Sequence, residues 1–485
     1  MNRSSYLEQI QQVITRGDFK ESWESLQSFD VPDWYKQAKF GIFIHWGLYS
    51  IPAFENEWYS RNMYIPGSKA YEHHIEVYGK HTEFGYKDFI PMFTANQFDA
   101  KEWATLFKAS GARYIMPVAE HHDGFQMYKS DVSFYNAFHM GPRRDLLGEM
   151  KQAFEEKHLI FCASSHRAEH WFFMSHGRSF PSDIHKPLTR SDFYWPAEPE
   201  PDHHDLFASP PSIEFLEDWL IRTCEIVDLY QPKLIYFDWW IQHAAFKPYL
   251  RIFAAYYYNK GKEWGIPVAI NYKFDAFMFG TAVPDVERGQ FAELQPYYWQ
   301  TDTAVAKNSW CHTEENVYKS SVDIIRDLVD IVSKNGNLLL NIGPKADGSI
   351  PVEDQRILLD IGDWLRRNGE AIYETTHWRI SGEGPTTIME GHFTDHEPKP
   401  YTSQDIRFTF KGTTLYAIVL VYPQDGRVRI TSLRIKSPHF AGIIQIISVL
   451  GFEDQVHWQQ TPEALYIQSR PMSTLVPVVF KIQLN

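Results

Sequence analysis

Residues 212–240 read SIEFLEDWLIRTCEIVDLYQPKLIYFDWW. An amphipathic stretch gives way, across Gln231 and Pro232, to a short apolar run with a single acid in it. Leu234, Ile235, Tyr236 and Phe237 read as a strand built for burial. An unpaired carboxylate inside it would cost several kcal/mol, or shift its pKa by about 3–5 units. Asp238 is therefore either satisfied by structural partners or placed at a strand end, where a site uses it.

The same helix-then-strand unit recurs. DAKEWATLFKASGA precedes YIMPVAEHHDGF (114–125), DLLGEMKQAFEEK precedes HLIFCASS (158–165), and the segment from YLRIFAAYYYNKGKEW precedes IPVAINY (266–272). SSVDIIRDLVDIVSKNG precedes NLLLNIGP (337–344), with Val322, Ile325, Leu328, Val329 and Val332 at helical spacing and Gly336 placed as the helix stop. FGIFIHWG (40–47) opens the series. Such alternation implies a parallel sheet with crossover helices. Six or more units within some 340 residues favour a (β/α) barrel over a doubly wound sheet, and no GxGxxG follows the first strand. The expected fold is α/β, with a (β/α)-barrel catalytic domain over 1–374. Short, β-branched, turn-separated runs such as RFTFKGTTLYAIVLVYP and LVPVVFKIQL then predict a small antiparallel β-sandwich over 375–485.

Composition narrows the partners. A net charge of −14 argues against nucleic acid, which calls for a basic stripe. Aromatic residues make up 16% of the chain, which suits a sugar cleft, where a ring face covers the C–H face of a pyranose, and equally an aromatic core. Cys162, Cys224 and Cys311 are far apart, fit neither a disulfide framework nor a zinc signature, and suit a reducing compartment. No apolar run of about 18 residues offers a membrane span, and MNRSSYLEQIQQVITRGDFK lacks the apolar core of a secretory signal. The expectation is a cytoplasmic protein with no membrane partner.

In a (β/α) barrel the site gathers at the C-terminal strand ends. His45, the pair His121–His122, Ser165 with His166, Asp238 and Asn341 all end strand-like runs. Adjacent residues on a strand point to opposite faces, so a two-ligand reading of His121–His122 needs loop geometry. With no HxH, HExxH or cysteine cluster, neither metal nor cofactor is expected. Acid/base work on a glycosidic bond needs a second carboxylate. The segment 282–312, read as a loop after IPVAINY, offers Asp285, Glu287, Glu293 and Asp302, and ENEWYSRNMY offers Glu57.

WYKQAKFGIFIHWGLYSIPAFENEWYSRNMY, EHHDGF, IYFDWW, SWCH and NGNLLLNIGPKADGSIP together resemble the α-L-fucosidases of glycoside hydrolase family 29, in the family order over about residues 30–375. The resemblance implies a barrel, a following β-sandwich, and hydrolysis of α-L-fucosides with retention. By motif, Asp238 matches the nucleophile, and the ERG of DVERG makes Glu287 the acid/base, ahead of Glu293 and Glu57. His45, His121 and His122 match residues that hold fucose hydroxyls, and Glu57 and Trp58 match the family's EW pair at the sugar. Tyr236 stands where relatives carry an aromatic, and Trp310 matches a tryptophan packed near the C5 methyl. Relatives often have Tyr at Ser165–His166, so His166 substitutes in hydroxyl recognition. Gln300 stands where many have Glu.

The implied substrate is a fucosylated oligosaccharide or glycoconjugate, and the family implies self-association into a homo-oligomer. Retention predicts carboxyl groups about 5–5.5 Å apart. Phe237 and Trp239 are expected to point into packing. Two rivals are a metal-dependent hydrolase using His45, His121, His122 and Asp238, and a catalytically silent sugar-binding protein.

Overall fold

The computed structural model describes residues 2–184, 187–453 and 456–485. The opening stretch folds as its pattern dictates. Ser212 caps the helix Ile213–Tyr230 by accepting the N–H of Phe215, and Gln231 ends it in the left-handed region at φ 46°. Strand Leu234–Phe237 follows directly.

Among the described residues the barrel strands are β1 (Phe40–Ile44), β2 (Tyr114–Glu120), β3 (Ile160–Phe161), β4 (Ala163–Ser165), β5 (Leu234–Phe237), β6 (Ala269–Lys273), β7 (Val283–Glu287), β8 (Trp299–Ala304) and β9 (Gly336–Ile342). All pair in parallel in the order β1-β9-β8-β7-β6-β5-β4-β2-β3, and β1 also pairs with β2, which closes the ring. Because β3 and β4 are two pieces of one stave, the result is a closed parallel barrel of eight staves.

The period-2 alternation of β5 separates its two faces. Ile235 and Phe237 face outward into the large helix-covered core, where Phe237 packs on Trp219 and Phe253 with ring centroids 5.3 and 5.0 Å away. Leu234 and Tyr236 face inward, sharing a cluster with Phe43, Tyr114, Met116 and Leu339. Gly41 is required there, because a Cβ on it would lie 2.5 Å from the Tyr114 ring.

Two expectations need correction. The segment 282–312 is not one loop: it carries β7 and β8 with no helix between them. Their inward positions hold Asp285, Glu287, Gln300 and Asp302 instead of apolar residues, which hid the strand signal. Nor does Gly336 stop the preceding helix, Ser321–Ser333. Asn335 takes the left-handed position at φ 75°, and Gly336 starts β9, where a Cβ would meet the Trp299 ring at 2.6 Å.

The second region is antiparallel throughout. One sheet, in the order β10-β11-β12-β17-β14, comprises β10 (Thr376–Glu383), β11 (Ile406–Lys411), β12 (Thr414–Val419), β14 (Ile444–Val449) and β17 (Val478–Leu484). The other is β13-β16-β15, from β13 (Arg427–Ile430), β15 (His457–Gln460) and β16 (Leu465–Gln468). Phe408, Leu415, Phe480, Val428 and Ile467 form the core between them, so this is the expected sandwich. Tyr416, Ile418 and Val479, on the opposite face, join the core around the barrel. Asp330, fully buried on a barrel helix, binds Lys334 and Arg407 of β11 across that junction. Among the described residues no helix is long and apolar enough to cross a membrane.

Because Phe237 lies in a packed outer core, Phe237→Ala should cost about 3–5 kcal/mol in denaturant-induced unfolding. A loss below about 1 kcal/mol would show that β5 does not present this face to the helices.

Candidate active site

The strand ends surround a cavity of about 200 Å³, lined by Phe43, His45, Glu57, Trp58, His121, His122, His166, Glu169, Tyr236, Asp238, Trp239, Glu287, Asp302, Trp310 and Phe393. It is smaller than the ~300–1,000 Å³ clefts that take drug-sized ligands, so it accommodates one small unit. Asp238, Glu287, His45, Glu57, Trp58, His121, His122, His166, Tyr236 and Trp310 are all among these, whereas the strand-end residues Ser165 and Asn341 are not. Glu293 is exposed and does not line the cavity.

Asp238 follows the last residue of β5, and its carboxylate is 14% exposed toward the cavity. His166 Nδ1 lies 2.9 Å from Asp238 Oδ2 and His122 Nε2 lies 3.4 Å from it. Burial alone would raise the Asp238 pKa. The attraction and hydrogen bond of His166, helped by His122 and Lys273, outweigh burial and hold it below the usual carboxylate range. Asp238 is thus an anion at neutral pH. His166 is oriented by Ser164 Oγ, 3.0 Å from its Nε2, and its backbone N–H donates to the Glu120 carbonyl at 2.9 Å. Arg167 is locked by Glu120 at 2.8 Å and Asp218 at 2.9 Å in a buried cluster that also includes Arg222.

Glu287 has the opposite environment. It ends β7, and burial, together with the charges of Asp238 and Asp302, pushes its pKa up to about 7 against the pull of Lys273. Trp239 Nε1–H donates to its Oε2, and the Glu287 backbone N–H donates to His392 Nδ1 at 3.0 Å. The expectation that Trp239 points into packing is therefore wrong. The strand stops at Phe237, the chain turns, and the alternation that would bury residue 239 no longer applies.

Beneath the cavity Lys273 is fully buried, 2.6 Å from Asp285, 2.8 Å from Asp302 and 3.4 Å from Glu287. Burial opposes its charge, but these carboxylates win and raise its pKa. Tyr236 O–H donates to Asp302 at 2.8 Å. Gln300 donates to Asp285 at 2.7 Å and accepts from Tyr35 and Tyr114, so it lies in the barrel floor.

The histidines line the cavity beside these acids. His45 Nδ1 and Asn341 Oδ1 are 2.6 Å apart, and Asn341 in turn donates to the Trp310 carbonyl at 2.6 Å. His122 Nδ1 is 2.8 Å from the His166 carbonyl, and burial lowers its pKa to about 4. Burial likewise lowers His45 and His121, and His121 Nδ1 is buried without a partner. Beyond β2, which ends at Glu120, the chain lets both His121 and His122 face the cavity. Glu57 accepts the Trp310 backbone N–H at 3.1 Å, and burial raises its pKa.

Among the described residues two triplets, His45–His121–His166 and His122–His166–Asp238, are close enough to hold a metal ion. Both need His166, whose two ring nitrogens already face Asp238 and Ser164.

Sequence reasoning missed Glu169, Lys273, Trp239, His392 and Phe393. Lys273 stands one residue beyond the quoted IPVAINY run, and the strand-end rule extended by one position finds it. Glu169 is buried, and burial with the charges of Asp238 and Glu287 raises its pKa well above the carboxylate range. His392 and Phe393 come from the sandwich side, where nothing in GHFTDHEP signals a site.

A one-sugar pocket with carboxyl groups in opposed environments, at the C-terminal end of a parallel barrel, belongs to a glycoside hydrolase. Residues 6–370 match the alpha-L-fucosidase family model and residues 399–483 match that of the alpha-L-fucosidase C-terminal domain. The plasma alpha-L-fucosidase of Homo sapiens is 33% identical over 84% of this chain and 80% of that one. The tissue alpha-L-fucosidase of Mus musculus is 30% identical over 95% and 93%. A Thermotoga maritima alpha-fucosidase, solved with a mechanism-based inhibitor, superposes with a TM-score of 0.76 at 29% identity, covering 96% of this chain and all of that one. This chain belongs to the α-L-fucosidase family.

Removing the buried cation leaves Asp285 and Asp302 uncompensated. Lys273→Met should therefore lower unfolding stability by about 3–5 kcal/mol. An unchanged unfolding midpoint would contradict the network.

Proposed function

We propose that the chain is a retaining exo-α-L-fucosidase that releases terminal fucose by double displacement, with Asp238 as nucleophile and Glu287 as acid/base. The observation that carries this reading is the pair itself. Asp238 is held ionised and Glu287 is held with a pKa near 7, both on one cavity. That is the division of labour a retaining mechanism needs.

In the first step an Asp238 oxygen attacks the anomeric carbon as the glycosidic bond breaks. Glu287 gives its proton to the leaving oxygen, so a neutral alcohol departs and a fucosyl ester remains. In the second step Glu287, now a carboxylate, takes a proton from water. The water oxygen attacks the same carbon, Asp238 leaves as carboxylate, and Glu287 is protonated again. The cavity's size supports terminal release. His45, His121, His122, His166 and Glu57 hold the hydroxyls, while Trp58, Tyr236 and Trp310 enclose the methyl. The substrate is a fucosylated oligosaccharide or glycoconjugate.

Three measurements test this. Asp238→Gly should lower kcat on an aryl α-L-fucoside by on the order of 10³-fold or more. Added azide should then yield a fucosyl azide, and near-normal activity without azide would sink the assignment. Wild-type kcat/KM should fall above pH 7 as Glu287 loses its proton. Its acid limb should lie below the ordinary carboxylate range of about 4, because Asp238 stays ionised there. Replacement by Glu287→Gln should remove the alkaline limb; its survival would assign that limb to another group. Full activity in excess EDTA excludes the metal-dependent alternative, and loss of activity restored by a divalent cation would favour it.

A further inference from the structure

The segment between β10 and β11, residues 384–405, leaves the sandwich and lies along the end of β7. It is bonded there strand-fashion. Gly391 N–H donates to the Gln290 carbonyl at 3.2 Å, Phe393 N–H to the Glu287 carbonyl at 2.8 Å and Asp395 N–H to the Arg288 carbonyl at 2.8 Å. The Asp395 carboxylate holds Lys319 at 2.5 Å and Thr303 at 2.6 Å. Gly289 permits the approach, since a Cβ on it would fall 1.8 Å from the Gly391 oxygen. The strap is fixed by these bonds, and it keeps Phe393 in the left-handed region, at φ 59°, with the side chain 50% exposed at the cavity rim. Phe393 is thus a bulky residue in a conformation that costs free energy, with its ring toward solvent rather than in a core.

Its neighbours say what the ring is for. Phe393 lies nearly parallel to Trp239, 18° between planes and 6.2 Å between centroids, and the indole N–H of Trp239 is bonded to Glu287. A group that protonates the leaving oxygen must stand beside that oxygen. The first ring of the leaving group therefore emerges on the Glu287 side of the cavity, over Trp239 and Phe393. We propose that Phe393, carried by the sandwich's strap, is a specificity-determining residue that with Trp239 forms an aromatic platform for the leaving-group pyranose. The inference rests on Glu287 as acid/base. The platform recognises the C–H face of a sugar ring and has no purchase on a leaving group without one.

The test compares kcat/KM for a fucosyl disaccharide with a pyranose leaving group against α-L-fucosyl fluoride, whose leaving group has no ring. Phe393→Ala should lower the disaccharide-to-fluoride ratio about 3- to 10-fold, the range of a lost aromatic face. Phe393→Tyr, which keeps the ring, should hold the ratio at the wild-type value. An unchanged ratio in Phe393→Ala, including a parallel fall on both substrates from a displaced strap, overturns the platform. A loss in Phe393→Tyr as large as in Phe393→Ala also overturns it. Failure of the underlying reading shows separately: Glu287→Gln would then cleave the disaccharide as well as the wild type does, and the platform would fall with it.

Discussion

The ammonium group of Lys273, sealed inside the barrel, faces Asp285, Asp302 and Glu287. Three carboxyl groups around one cation cannot all ionise cheaply. Burial and the neighbouring Asp302 raise Asp285, and burial with Asp238 and Asp302 raises Glu287. The same cation also contributes to keeping Asp238 ionised. The barrel floor thus sets the protonation pattern of the cavity above it. A second set of contacts, His166 on Asp238 and the Glu120–Arg167–Asp218 cluster behind His166, fixes where the anion lies.

The two regions are joined in function as well as in packing. One face of the five-stranded sheet completes the core around the barrel, and Asp330 ties a barrel helix to Arg407. The strap extends this junction to the catalytic rim, where His392 accepts the backbone N–H of Glu287. The position of Glu287 therefore depends on a segment more than a hundred residues later in the chain.

Much of this was legible in the sequence, for reasons that can be named. LIYFDWW declared a buried strand with a costly acid at its end, and the helices before each apolar run declared the parallel barrel. The strand-end histidines followed from the same rule. What stayed hidden obeys a different physics. The barrel strands β7 and β8 put Asp285, Glu287, Gln300 and Asp302 inside, where a polar network replaces the apolar face that pattern reading looks for. Trp239 was misjudged because alternation was extended one turn beyond the strand. His392 and Phe393 reach the site only through tertiary packing across the two regions, and no local spacing records that.

The central claim is that Asp238 attacks the anomeric carbon. A fluorosugar with fluorine at C2 and a fluoride leaving group forms the glycosyl ester but hydrolyses it slowly, so the ester accumulates. After reaction with 2-deoxy-2-fluoro-α-L-fucosyl fluoride, peptic digestion and tandem mass spectrometry should place one fluorofucosyl group on Asp238, in the peptide carrying LIYFDWW. A label on Glu57, Glu169 or Glu287 instead, or rapid turnover of the reagent to the inverted sugar with no ester formed, would contradict it.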